Sequence, residues 1–332
     1  MRRFEIIDFL KGFSIFTIMI FHYLSFLPPP DPFDKLIYFG GTGVHLFILL
    51  SGFGLYYSHM SKPVTYITFL KKRISKIYIP YIVIVLISAL IALLLPVYNN
   101  SLYAVLGHVF LFKMFDENIM GSYGYQLWFI SMILQFYLTF YFIIWLKSKL
   151  KNKLFLISGL VISLCWAVLV YVLHKGNERI WNSFFLQFYW EFALGMVVAE
   201  KVFQKQKLTG ENSNQLVLLT IGIINCALYG FIALKGGEWG QLFNDVFALT
   251  GYSLLAIFLY KLKLKPVNQL FLFIGKISLS VYLLHILVLL TAANLFHNLN
   301  SLYIIAISLL IIFPLSVLYQ KMIDKFFKII KI

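Results

Sequence analysis

Apolar runs long enough to cross a bilayer recur along the whole chain, and the breaks between them are basic. A hydrocarbon core about 30 Å thick takes roughly 20 apolar residues of α-helix. Runs of that length place spans at roughly 7–27, 38–57, 78–97, 127–146, 154–173, 182–200, 215–234, 242–260, 278–297 and 301–320. Composition agrees: 61% of the residues are hydrophobic and 12% charged, against about 45–50% and about 25% in soluble domains. The expected fold is therefore all-α, a polytopic transmembrane helix bundle of about ten spanning helices. It forms one domain over 1–332 and leaves no sequence for a soluble domain. Pro28-Pro29-Pro30 ends the first span, since proline lacks the donor a helix needs. That span is too long for a cleaved signal core, and no small-residue cleavage site follows it. The apolar stretch 102–115 is too short to cross and reads as interfacial or re-entrant. Cys165 and Cys226 both lie in apolar runs, so neither a disulfide framework nor a cysteine metal site is expected.

Lysine and arginine orient the bundle. With the N-terminus in the cytoplasm, 22 of the 28 basic residues fall in cytoplasmic segments, and Lys35, Lys113, Lys175, Arg179 and Lys235 in external ones. Lys11 remains, inside the first span. The positive-inside rule then puts both termini in the cytoplasm of a multi-pass cell-membrane protein. It also accounts for the net charge of +15 without nucleic acid, because basic loops face an anionic leaflet and cytoplasmic anions.

Ionisable residues inside spans are costly and are retained for a reason. The first span holds Asp8, Lys11 and His22. Asp8 and Lys11 are three apart and can pair on one face. Lys11 and His22 are eleven apart, on one face and roughly 16 Å apart along the axis. Taken alone, Lys11 is as well explained by snorkelling to the headgroups, and His22 by a neighbouring helix. His45, in the second span, is a second intramembrane histidine able to face the cavity of His22. Ser51 and Gly52 beside it suit close helix packing. Arg73 and Lys76 share a helical face at the membrane border, as an anchor or as a phosphate clamp. His59 falls in an expected loop and His297 at a span end. No phosphate loop, nucleophile elbow or zinc-type histidine pair is evident.

Five segments, in order, resemble the motifs of acyltransferase family 3 of bacterial membrane proteins. They are Asp8-Phe9-Leu10-Lys11-Gly12 with His22; Gly43-Val44-His45-Leu46-Phe47 running to Ser51-Gly52-Phe53; Arg73-Ile74-Ser75-Lys76-Ile77-Tyr78 with Pro80-Tyr81; Leu127-Trp128-Phe129-Ile130-Ser131 leading to Gln135-Phe136-Tyr137; and Gly275-Lys276-Ile277-Ser278 with Tyr282-Leu283-Leu284-His285. Lys11 and Lys76 stand where the family usually has Arg, keeping the charge and losing the planar fork. His45 stands where an acidic or small polar residue is common, and Ile133 and Leu134 where one branch carries Glu.

The resemblance implies transfer of an acyl group, usually acetyl, from cytoplasmic acyl-CoA to a hydroxyl of a cell-surface or lipid-linked carbohydrate. Acyl-CoA is then a co-substrate and no cofactor or metal is expected. The partners would be the donor, a carbohydrate acceptor, the bilayer and other proteins of envelope biosynthesis. It makes His22 the catalytic residue, as base toward the acceptor hydroxyl or as carrier of a covalent acyl-imidazole. It makes Lys11, Arg73 and Lys76 the acyl-CoA site, and Asp8, His45, Ser51, Trp128, Tyr282 and His285 candidate cavity residues. A transporter or flippase for a lipid-linked sugar, with the same histidines as a proton relay, is the alternative.

Overall fold

The computed structural model describes residues 4–26, 41–206 and 214–330. The Pro28–Pro30 break, the first residues of the second expected span, and Arg2, Arg3, Lys35, Lys207 and Lys331 lie outside them. The described residues are helical, with no strand. The long helices are α1 (Glu5–Phe26), α2 (Gly43–Ser61), α3 (Tyr66–Leu94), α6 (Trp128–Lys149), α7 (Asn152–Val172), α9 (Tyr189–Phe203), α10 (Gln215–Lys235), α12 (Asp245–Lys261), α14 (Ser278–Leu295) and α15 (Ser301–Ile329). Shorter ones are α4 (Leu102–Val109), α5 (Glu117–Met120), α8 (Arg179–Asn182), α11 (Gly237–Phe243) and α13 (Lys265–Lys276).

Each expected span corresponds to one of the long helices, though α9 begins at Tyr189 rather than near 182 and α15 runs to Ile329 rather than ending near 320. Seven are apolar and long enough to cross a membrane, and α11 with α12, bent by 53°, makes an eighth. The other two are α2, which carries two histidines, and the 15-residue α9, which carries Glu191 and Glu200. They pack against each other within the bundle. Large apolar side chains such as Leu90, Leu94, Leu310 and Leu318 point outward. That surface suits lipid rather than water. Among the seven spans, α6 and α14 are the most enclosed and α10 the most exposed. The 102–115 segment is α4 followed by a 3₁₀ turn, Phe112–Phe115.

Two further boundaries differ from the sequence expectation. His59, expected in a loop, lies in the last turn of α2. Nothing in Ser58–Ser61 breaks the helix, and it stops only before Pro63, which disfavours helical geometry in Lys62. Likewise α3 begins at Tyr66 rather than near Tyr78. The Thr65 hydroxyl caps it by accepting the Thr68 N–H. Arg73 and Lys76 therefore sit within a continuous helix.

Glycines set the closest approaches. A Cβ on Gly52 would stand 2.2 Å from the Phe192 carbonyl oxygen, and one on Gly195 would stand 2.0 Å from that of Leu49. The backbones of α2 and α9 thus meet at two reciprocal points, which only residues without a side chain allow. Gly12 and Gly275 do the same for α1 and α13, each with 1.9 Å to a carbonyl oxygen of the other helix.

Candidate active site

Two cavities open at opposite ends of the helices. One, of about 600 Å³, lies where α1 ends and α2, α6, α9 and α12 begin. His22, His45, Trp128, Arg179, Gln187 and Asp245 line it. The other, of about 540 Å³, lies between the early turns of α3 and the last turns of α15. Its polar lining is Arg73, Lys76, Tyr137, Ser280, Tyr319, Gln320, Asp324 and Lys328.

In the first cavity, His22 stands one turn from the end of α1 with its ring against that of His285, centroids 5.3 Å apart. His285 is fully buried on α14. Its Nδ1 lies 2.8 Å from the Tyr282 carbonyl and 3.1 Å from that of Val281. Carbonyls only accept, so Nδ1 carries the proton and Nε2 the lone pair. That Nε2 has no hydrogen-bond partner among the described residues. The Tyr23 hydroxyl donates to the His285 carbonyl at 3.1 Å, tying α1 to α14 beside the pair.

Across the cavity, His45 Nδ1 is 2.6 Å from Glu191 Oε1, and its Nε2 is 3.8 Å from Asp245 Oδ1. Glu191 is fully buried on α9. Asp245 accepts from Gln187 Nε2 at 2.9 Å. Arg179 lies over the rings of Tyr125 and Trp128, at 4.8 and 5.1 Å. Such stacking suits a weakly hydrated guanidinium. Burial pulls Arg179 down to about 10, so it remains charged at neutral pH. Both carboxylate oxygens of Glu117 accept from the first N–H groups of α8, at 2.9 and 3.1 Å, and so fix the backbone that presents Arg179.

The second cavity is cationic. Arg73, Lys76 and Lys328 outnumber Asp324. Ser280 donates to Gln320 at 2.8 Å, Gln320 donates to Asp324 at 2.9 Å, and the Tyr319 hydroxyl donates to the Pro80 carbonyl at 2.5 Å. These bonds join α14, α15 and α3 around the opening. The two cavities approach each other along α14. Ser280 lines the second, and His285, five residues on, about 7.5 Å of helical rise, touches the histidine that lines the first.

Of the residues singled out from sequence, His22, His45 and Trp128 share the first cavity and Arg73 and Lys76 the second. His285 stands behind His22. The Tyr282 hydroxyl donates to the Gln126 carbonyl, and Ser51 donates to the Phe47 carbonyl one turn back at 2.8 Å. Asp8, Lys11, Ser51 and Tyr282 line neither cavity. Sequence reasoning missed Arg179, Gln187, Glu191, Asp245 and Lys328. Glu191 and Asp245 fall within expected spans, so the rule that selects His22 could have found them.

No curated protein and no solved structure matches the chain. The model of one protein family, described as the Acyltransferase domain, matches residues 4–320. That match covers the first cavity, all of the second but Ile323, Asp324, Phe327 and Lys328, and nearly every described helix, and the chain belongs to this acyltransferase family.

Proposed function

We propose that the protein moves an acyl group, acetyl in the simplest case, from cytoplasmic acyl-CoA to a hydroxyl of a carbohydrate presented at the opposite membrane face. The observation that carries this reading is how the two cavities approach each other across α14: Ser280 lines one, and His285, five residues on, touches the histidine that lines the other. The cationic one suits a polyanionic donor: Arg73, Lys76 and Lys328 match phosphate oxygens with charge-assisted hydrogen bonds. This end holds the basic loops and is the cytoplasmic one by the positive-inside rule. The acyl-bearing arm then runs past Ser280 and Tyr282 to the histidine pair.

His22 is the group placed to meet both substrates, with α14 behind it and the other cavity before it. Its nitrogen attacks the thioester carbonyl. The C–N bond forms, the C–S bond breaks, and the ring proton leaves with the sulfur as the free thiol of CoA. The acceptor hydroxyl then takes the acyl group from the opposite side. Trp128, Tyr125 and Phe188 offer flat apolar faces for a sugar ring, and Arg179 and Asp245 offer polar partners for its hydroxyls.

Purified protein in nanodiscs, given radiolabelled acetyl-CoA, should release CoA and pass label to a surface glycan. His22→Ala should abolish both while donor binding persists. Control variants His59→Ala and His297→Ala, remote from both cavities, should retain wild-type turnover. Sugar flux without consumption of acetyl-CoA would overturn the reading in favour of transport.

A further inference from the structure

His45, held by Glu191, lines the first cavity, and transfer through His22 leaves this pair without a task. Five observations bear on it. His45 Nδ1 is held by Glu191 at 2.6 Å. Glu191 is fully buried, and its second oxygen, Oε2, has no partner among the described residues. The other nitrogen of the ring is turned toward Asp245 at 3.8 Å, too far for a hydrogen bond. Asp245 is in turn held by Gln187. Gly52 and Gly195 fix the level of the pair, because α2 and α9 slide past each other only if those backbones part.

A carboxylate on one imidazole nitrogen holds the ring in one orientation and tautomer, leaving the other nitrogen as a base. With the proton of Nδ1 given to Glu191, the lone pair is on Nε2, on the side of the cavity. A second carboxylate stands close enough to favour that nitrogen once it is protonated. An imidazole so flanked serves to take up a proton and release it again. His45 lines the same cavity as His22 but comes from a different helix, and so approaches a molecule bound there from another side.

We propose that His45 is a second catalytic residue, the base that removes the proton from the acceptor hydroxyl, with Glu191 as its positioning residue. The inference rests on the acyl-transfer reading above. In the step, the acceptor O–H bond breaks and its proton passes to His45 Nε2. The acceptor oxygen forms the new bond to the acyl carbon, and the bond from that carbon to His22 breaks. The His22 nitrogen takes the proton back from His45, so both rings return to their starting state and no other reactant is needed.

A nucleophile that needs no base separates this role from a structural one. Hydroxylamine attacks acyl groups unaided at neutral pH, whereas an alcohol does not. Acetyl transfer is measured in nanodiscs to hydroxylamine and to a methyl glucoside, with the rate lacking protein subtracted and acetyl-CoA affinity measured in parallel. His45→Gln should lower transfer to the glucoside by about 100- to 10,000-fold, the usual contribution of a general base, and leave hydroxylamine transfer and donor affinity near wild type. Glu191→Gln should give the same selectivity with a smaller loss. His22→Ala should lose both reactions. Equal losses for both nucleophiles in His45→Gln, or no loss for either, would overturn the proposal and leave the acyl-transfer reading standing. A wild-type protein that transfers to neither would remove that reading, and this proposal with it.

Discussion

Lys113 is a lysine with no exposed surface, and its ammonium nitrogen has no hydrogen-bond partner among the described residues. It lies in the connection between α4 and α5, outside the spans. Burial pulls it from its ordinary value of 10.5 down to about 7. Its neighbour His108 is pushed down to about 2 by burial and by the Lys113 charge. His108 is held between the Tyr81 hydroxyl at 2.6 Å and Ser122 Oγ at 2.9 Å. Between about pH 7 and 10.5 the unfolded chain holds the lysine proton and the folded chain does not, so stability rises with pH across that window. Below about 7 both states are protonated and the full cost of the buried charge remains. Lys113→Met should therefore melt higher at pH 7 and lose the rise between pH 7 and 10, as followed by thermal unfolding in detergent. A lower melting temperature at pH 7 would mean that the amine holds a stabilising partner. At His22, the proposed nucleophile, the same reasoning about partners applies to function. His22→Ala should abolish turnover, since the other histidine it touches, His285, has Nδ1 committed to carbonyls and is closed off from the cavity. Turnover of acetyl-CoA at the wild-type rate by His22→Ala would sink that assignment.

Two pairs of elements set the geometry of the cavities. The α2–α9 pair is locked through Gly52 and Gly195, one or two turns from His45 and Glu191. Gly52→Ala and Gly195→Ala each place a methyl against a backbone carbonyl that cannot give way, and should cost about 1–3 kcal/mol as overpacking does. They should also lower transfer, by parting the His45–Glu191 contact. Gly54, on the same helix, has nothing within 4 Å of an added Cβ. Gly54→Ala should gain up to about 1 kcal/mol from helix propensity. Melting curves and turnover for the three variants check this; equal behaviour would refute the packing argument. The α3–α15 pair lines the second cavity, proposed above as the donor site. Removing Arg73, Lys76 or Lys328 should weaken acetyl-CoA binding roughly tenfold to a hundredfold, the value of one charge-assisted contact of about 1.5–3 kcal/mol. The loss should deepen as salt is lowered. Asp324, the acid among those cations, works against a polyanion, so Asp324→Asn should tighten binding. Titrations at two ionic strengths test both signs.

At the scale of the whole molecule, single cysteines in a background lacking Cys165 and Cys226 test the orientation. Asn99 and Lys151, both exposed in loops, should label from outside and from inside respectively with an impermeant reagent. Labelling from one side for both would break the map. Seven of the long helices, and α12 taken with α11, were legible from length and hydrophobicity alone; α2 and α9 are not among them. Less legible was which polar groups meet. Arg179 counts in the sequence only as a loop charge, and its place over Trp128 and Tyr125 depends on Glu117 holding α8, 62 residues away in sequence. Glu191 finds His45 across 146 residues, through glycines whose role appears only when the helices are packed. Lys328 reads as one of several terminal lysines until α15 folds back beside α3. His22 stood out in the sequence only when the ordered motifs were read together, since a single histidine in an apolar run is as well explained by a neighbouring helix. The short stretch of α14 between Ser280 and His285 has a wider consequence. It makes the protein a thin dam rather than a revolving door. On the proposed mechanism an acyl group travels little more than a turn of helix, and nothing as large as a nucleotide need be carried over. Under that proposal the barrier to ions can stay shut throughout, and spent CoA leaves by the cavity it entered.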